Sequence, residues 1–156
     1  MTNVPVERYG IVDETPCEDW LDCVQEDVER TGFTIIDSGM SGSELDQLSN
    51  EFDRIQREYQ LQYKCFELEI IGEEHTIRAP LVASDLFLTL ASNPRLLKVL
   101  DRLLPQNYIL NQQNGIINPS RMSYNQAAWH RDLPYQHFVC DRPLAINALF
   151  CLDHFT

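Results

Sequence analysis

The sequence lacks any long apolar run. LFLTLA at 86–91 is far shorter than the roughly 20 apolar residues that a helix needs to cross a bilayer. The first eleven residues, MTNVPVERYGI, lack the basic segment and apolar stretch of a secretory signal. There is no internal repeat or low-complexity segment. These absences predict a cytoplasmic protein without a membrane-spanning helix.

Cysteine is present but follows no regular spacing. The five cysteines are Cys17, Cys23, Cys65, Cys140 and Cys151. An odd count without a signal favours reduced thiols over disulfides. His137-x-x-Cys140 and Cys151-x-x-His154 offer an alternative, a tetrahedral zinc site. Against zinc, no glycine follows Gly115 to form tight turns, and the apolar run around Cys151 favours a buried thiol. No spacing supports a cysteine–histidine nucleophile.

Positive charge is scarce in the first half of the chain. The formal net charge is −12, with 19 acids against 5 Lys/Arg in residues 1–75 and 5 acids against 7 Lys/Arg in residues 76–156. This balance argues against nucleic acid or an anionic membrane as a partner. The acidic half is typical of solvated helix faces. The near-neutral half suits an anionic small molecule.

Helical patterns predominate as far as Leu104. Pro16 and Gly32 are the expected start and stop of a first helix. Ser41 and Glu44 predict a capping box before a long second helix. Asp85 and Asn93-Pro94 mark two further helix starts. The apolar positions with helical spacing are Trp20, Leu21, Val24, Val28, Leu45, Leu48, Phe52, Ile55, Tyr59, Leu96, Leu97, Leu100, Leu103 and Leu104.

Strand patterns are shorter and lie mainly in the second half. FTIID (33–37) and FELEII (66–71) are predicted strands. NYILNQQ (107–113) has an extended pattern, and the Asn114-Gly115 pair after it predicts a hairpin turn. LAINALFCL (144–152) is a further strand candidate. Helices followed by strands predict an α+β fold.

The segment QAAWHRDLPYQHF (126–138) carries the main chemical signal. His130 and Asp132 are two positions apart, so in a strand they point to the same face. Two histidines and one carboxylate on one face of the ion are a ligand set for Fe(II). Pro134 removes a backbone N–H, which suits a strand leaving a sheet at a cavity mouth. The alternative is a surface His–Asp pair that shares hydrogen bonds.

The neighbourhood of this pair suits a partly wet cavity. Trp129 supplies an apolar wall directly before the histidine. Functional sites combine such walls with a few convergent polar groups. The nearby polar residues in the chain are Asn111, Gln112, Gln113, Tyr124, Asn125 and Gln126.

NYILNQQNGIINPS, QAAWHRDLPYQHFV and RPLAINALFCLDHFT together closely resemble the phytanoyl-CoA dioxygenase family of non-haem iron, 2-oxoglutarate-dependent oxygenases. WHRDLPYQ is the most specific motif, and TGFTIID with its following helix is also similar. The resemblance implies a cupin-like double-stranded β-helix, or jelly-roll, with N-terminal helices packed outside it. We expect one domain over 1–156, mainly helical in 1–104, with the first half of the jelly-roll in 105–156.

The resemblance also implies roles for individual residues. His130 and Asp132 would be catalytic residues that bind Fe(II), with 2-oxoglutarate as co-substrate and a small molecule as the substrate of C–H hydroxylation. Gln112 and Asn147, on strands before and after the motif, are candidates to line the co-substrate site, together with Trp129. The competing interpretation of Gln112 and Asn147 is a polar residue on the wet face of a strand.

The sequence departs from the family pattern after the motif. The family needs a distal histidine, followed by an arginine that anchors 2-oxoglutarate. This chain ends 24 residues after Asp132, and His137 and His154 lie too close to match that histidine. We therefore expect an N-terminal portion, weakly active or inactive alone, whose open sheet edges favour self-association. The alternative is a non-catalytic binding protein on a truncated oxygenase scaffold, with its acidic helices as the docking surface.

Overall fold

The structure, a computed structural model, describes residues 19–63, 65–104, 107–118 and 142–153. Over these ranges the chain forms five α-helices, one 3₁₀ turn and a two-stranded sheet, which confirms the α+β class. The elements are α1 (Trp20–Thr31), α2 (Gly42–Tyr63), α3 (Cys65–Ile71), β1 (Thr76–Arg78), the 3₁₀ turn (Pro80–Val82), α4 (Asp85–Ala91), α5 (Pro94–Leu103) and β2 (Asn114–Ile116). None of the helices in these ranges is long and apolar enough to span a membrane.

The chain divides into two compact units between Ile36 and Asp37. Helix α1 belongs to the first unit, and every other element belongs to the second. The expected single domain over 1–156 stays a prediction.

Helix α1 has a defined cap at each end. The Asp19 carboxylate accepts the Leu21 N–H at 3.2 Å, and Gly32, at φ 84°, donates to the Val28 carbonyl. The predicted stop at Gly32 is confirmed, whereas the helix begins at Trp20 and Pro16 lies outside the described residues. The strand predicted over 33–37 is wrong, because no described strand pairs with that segment.

Helix α2 begins with the predicted capping box. Ser41 N–H donates to Glu44 Oε2 at 2.7 Å, and Glu44 N–H donates to Ser41 Oγ at 3.3 Å. The Ser41 hydroxyl and amide hold the pKa of the Glu44 carboxyl below its usual value. Further along the helix, Leu48 and Ile55 are buried, which confirms the predicted apolar face.

Helix α3 replaces the strand that was predicted over 66–71. A Schellman turn closes this helix, because Gly72, at φ 67°, donates to the Glu69 carbonyl and Glu73 donates to the Leu68 carbonyl. The alternating pattern of FELEII therefore belongs to two turns of helix. Gly72, directly after the last helical residue, is the local signal that favours a helix over a strand in this segment.

The sheet pairs β1 with β2 in antiparallel register, with Ile77 opposite Gly115. Hydrogen bonds from Ala79 N–H to the Gln113 carbonyl and from Ile117 N–H to the His75 carbonyl extend the pairing at both ends. The predicted hairpin turn at Asn114-Gly115 is wrong, because both residues lie inside β2.

Helices α4 and α5 begin where the sequence predicts. Ser84 caps α4 by accepting the Leu86 N–H. Asn93 caps α5, because its Oδ1 accepts the Arg95 N–H at 2.9 Å and the Leu96 N–H at 3.1 Å. Pro94 is the first helical residue.

The core of the second unit lies between α2, α4 and β1. Its buried cluster consists of Leu48, Ile55, Ile77, Phe87 and Leu90. Phe150 and Leu152 pack against this cluster from the last described segment. The strand predicted over 144–152 is wrong, since the structure assigns no strand over 142–153. The segment nevertheless contributes side chains to the core.

Candidate functional site

The predicted iron ligands lie between two described segments. His130, Asp132 and Trp129 fall outside the described residues, so their convergence on one ion stays a prediction. Residues 107–118 precede them and residues 142–153 follow them. Both flanking segments belong to the second unit. The contacts of these two segments therefore show how the chain is held on either side of the motif.

Gln113 fixes the first flanking segment. Its side-chain oxygen accepts the Leu81 N–H at 3.1 Å, and its amide nitrogen donates to the Phe87 carbonyl at 2.9 Å. Its own carbonyl accepts the Ala79 N–H at 2.9 Å. One residue therefore joins β2 to the 3₁₀ turn and to α4. Ala79 sits at φ 48°, a left-handed conformation that costs free energy, so these bonds also hold a strained residue.

A network of polar side chains around Arg78 also joins β1 to β2. The Arg78 guanidinium forms a two-pronged ion pair with the Glu73 carboxylate. The Asn114 amide, oriented with its oxygen toward Arg78, accepts from that guanidinium at 3.2 Å. Arg78 thus connects the loop before β1 with β2.

Gly115 allows β2 to lie directly against α2. A Cβ atom at position 115 would overlap the ring of Phe52 on α2. Phe52 in turn packs against Phe87 of α4, with ring centroids 6.3 Å apart. Glycine is therefore required here for close packing rather than for a turn.

The two candidate co-substrate residues are both exposed. Gln112 lies in irregular chain before β2, and Asn147 lies in irregular chain within 142–153. The prediction that both residues lie on strands is therefore wrong. Their exposure is compatible with lining an open site. It is equally compatible with the competing interpretation of a wet surface position, and their role stays a prediction.

The alternative zinc site receives no support from its one described member. Cys151 is exposed, so the prediction of a buried thiol is wrong. His137, Cys140 and His154 lie outside the described residues. Among the residues that the structure does describe, no group of three or more His, Cys, Asp or Glu side chains is placed to hold a metal ion.

Gln113 was missed as a structural residue by the sequence analysis, which grouped it with the polar residues near the motif. Its spacing of two positions from Gly115 could have indicated that Gln113 faces inward. Residues two apart in a strand share a face. A glycine that packs on an aromatic ring therefore places Gln113 on the inward face, and Gln112 on the outward one.

Comparison with known proteins identifies the relatives of this chain. The sequence profile described as phytanoyl-CoA dioxygenase (PhyH) matches residues 28–156. Uncharacterised proteins from Mycobacterium bovis and Mycobacterium tuberculosis are each 26% identical over 141 residues, which cover 87% of this chain and 51% of the relative. The chain thus spans about half the length of the curated relatives it matches. No solved structure matches it significantly.

Proposed function

The chain belongs to the phytanoyl-CoA dioxygenase family, and on that premise we propose that it carries part of an Fe(II)- and 2-oxoglutarate-dependent oxygenase site. In this proposal His130 and Asp132 are iron ligands, and the substrate is a small molecule with an unactivated C–H bond. The observation that carries the proposal is that the family match over residues 28–156 includes the whole WHRDLPYQ motif.

The donor set fits the metal. A neutral imidazole nitrogen and a carboxylate oxygen are ligands that non-haem Fe(II) sites use, and proteins of this family generally depend on iron(II) and 2-oxoglutarate. When bound, the iron and 2-oxoglutarate supply dioxygen-dependent hydroxylation. The protein's share is to bind, orient and shield the reacting groups.

The chain's own residues have distinct parts in this proposal. His130 must present a deprotonated ring nitrogen, and Asp132 must remain ionised to bind the cation. Trp129 forms an apolar wall, and Gln112 and Asn147 offer amide groups to the co-substrate. Gln113 holds the segment that carries Gln112 against the 3₁₀ turn and α4.

Metal titration tests the proposal directly. We expect the anaerobic chain to bind one equivalent of Fe(II) weakly but saturably. Replacement of either ligand, His130→Ala or Asp132→Ala, should weaken binding at least about tenfold, since loss of an outer partner of a ligand alone costs about that much. His137→Ala, in the same segment, is the matched control and should bind as the wild type does.

Two results of this titration would count against iron chemistry. A folded wild-type chain that binds no Fe(II) would favour the alternative, a non-catalytic binding protein on an oxygenase scaffold. Loss of binding in His137→Ala with wild-type binding in His130→Ala and Asp132→Ala would move the ligand set away from the His-x-Asp pair.

A further inference from the structure

We draw no further inference here: the strongest candidate, the cavity of about 410 Å³ at the carboxyl end of α5 that is lined by Asp101, Leu104, Asn107 and Tyr108, carries none, because the Tyr108 hydroxyl already donates to the Asp101 carboxylate at 2.8 Å and nothing in the structure shows what ligand would fill the remaining space.

Discussion

Gln112 and Gln113 are chemically identical neighbours with different structural roles. Gln113 makes three hydrogen bonds to backbone groups of Ala79, Leu81 and Phe87, whereas Gln112 is exposed. The difference comes from the direction of the two side chains just before β2, because that of Gln113 reaches the 3₁₀ turn and α4 whereas Gln112 is exposed. Stability should therefore depend on one of these glutamines and not on the other.

We predict that Gln113→Leu lowers the free energy of unfolding by about 1–3 kcal/mol, because the substitution removes the partner of the partly buried Leu81 N–H and the additional bond to the Phe87 carbonyl. Gln112→Leu is the matched control and should change it by less than about 0.5 kcal/mol. Urea unfolding followed by circular dichroism measures both. Equal midpoints for the two variants would show that the Gln113 bonds do not support the second unit.

A second prediction concerns a single methyl group added at Gly115. A methyl group there overlaps the Phe52 ring, so Gly115→Ala should destabilise the chain by about 1–3 kcal/mol. Gly42→Ala is the control, since a Cβ at the start of α2 meets no atom within 4 Å. It should be neutral or slightly stabilising. A Gly115→Ala variant with wild-type thermal stability would contradict the close packing of β2 on Phe52.

The helical elements were more predictable from the sequence than the strands. Caps such as Ser41, Asn93 and Gly32 act through bonds to residues a few positions away, so the sequence contains the whole signal. A strand forms only where another strand lies beside it, and that depends on distant residues. The predicted strands at 33–37 and 144–152 consequently failed, and β1 was not foreseen.

Arg54 connects a carboxylate of its own helix, α2, with the backbone just before α4. Arg54 bonds the Glu51 carboxylate at 2.8 and 2.9 Å and reaches the Ala83 carbonyl at 3.4 Å. Hydrogen bonds from Arg54, and then from the Ser84 side chain, lower the pKa of Glu51 from 4.5 to about 2. Glu51 therefore needs a lower pH to become protonated in the folded chain than in the unfolded chain.

This link predicts a pH dependence of stability. Because the folded pKa is depressed, the contribution of Glu51 is complete above about pH 4.5 and is lost as the pH falls toward about 2. Glu51→Gln should therefore lose less stability over that interval than the wild type. Urea midpoints measured at several pH values give the comparison. Parallel curves for the two proteins would show that Glu51 makes no such contribution.

At the scale of the whole molecule, the sequence motif identified the family and the candidate ligands. WHRDLPYQ contains both donor types at a spacing that suits one strand face, and the family match over residues 28–156 confirms the resemblance. The three-dimensional arrangement of the ligands could not be derived from the same residues. It depends on contacts between residues that are far apart in the sequence, which local spacing does not encode.

Anomalous diffraction at the iron absorption edge, from crystals of the chain grown without oxygen in Fe(II) and 2-oxoglutarate, tests the proposed metal site most directly. We predict a single iron peak coordinated by an imidazole nitrogen of His130 and a carboxylate oxygen of Asp132. An iron-free structure in which these side chains point to opposite sides, or are held by other protein groups, would contradict the oxygenase assignment.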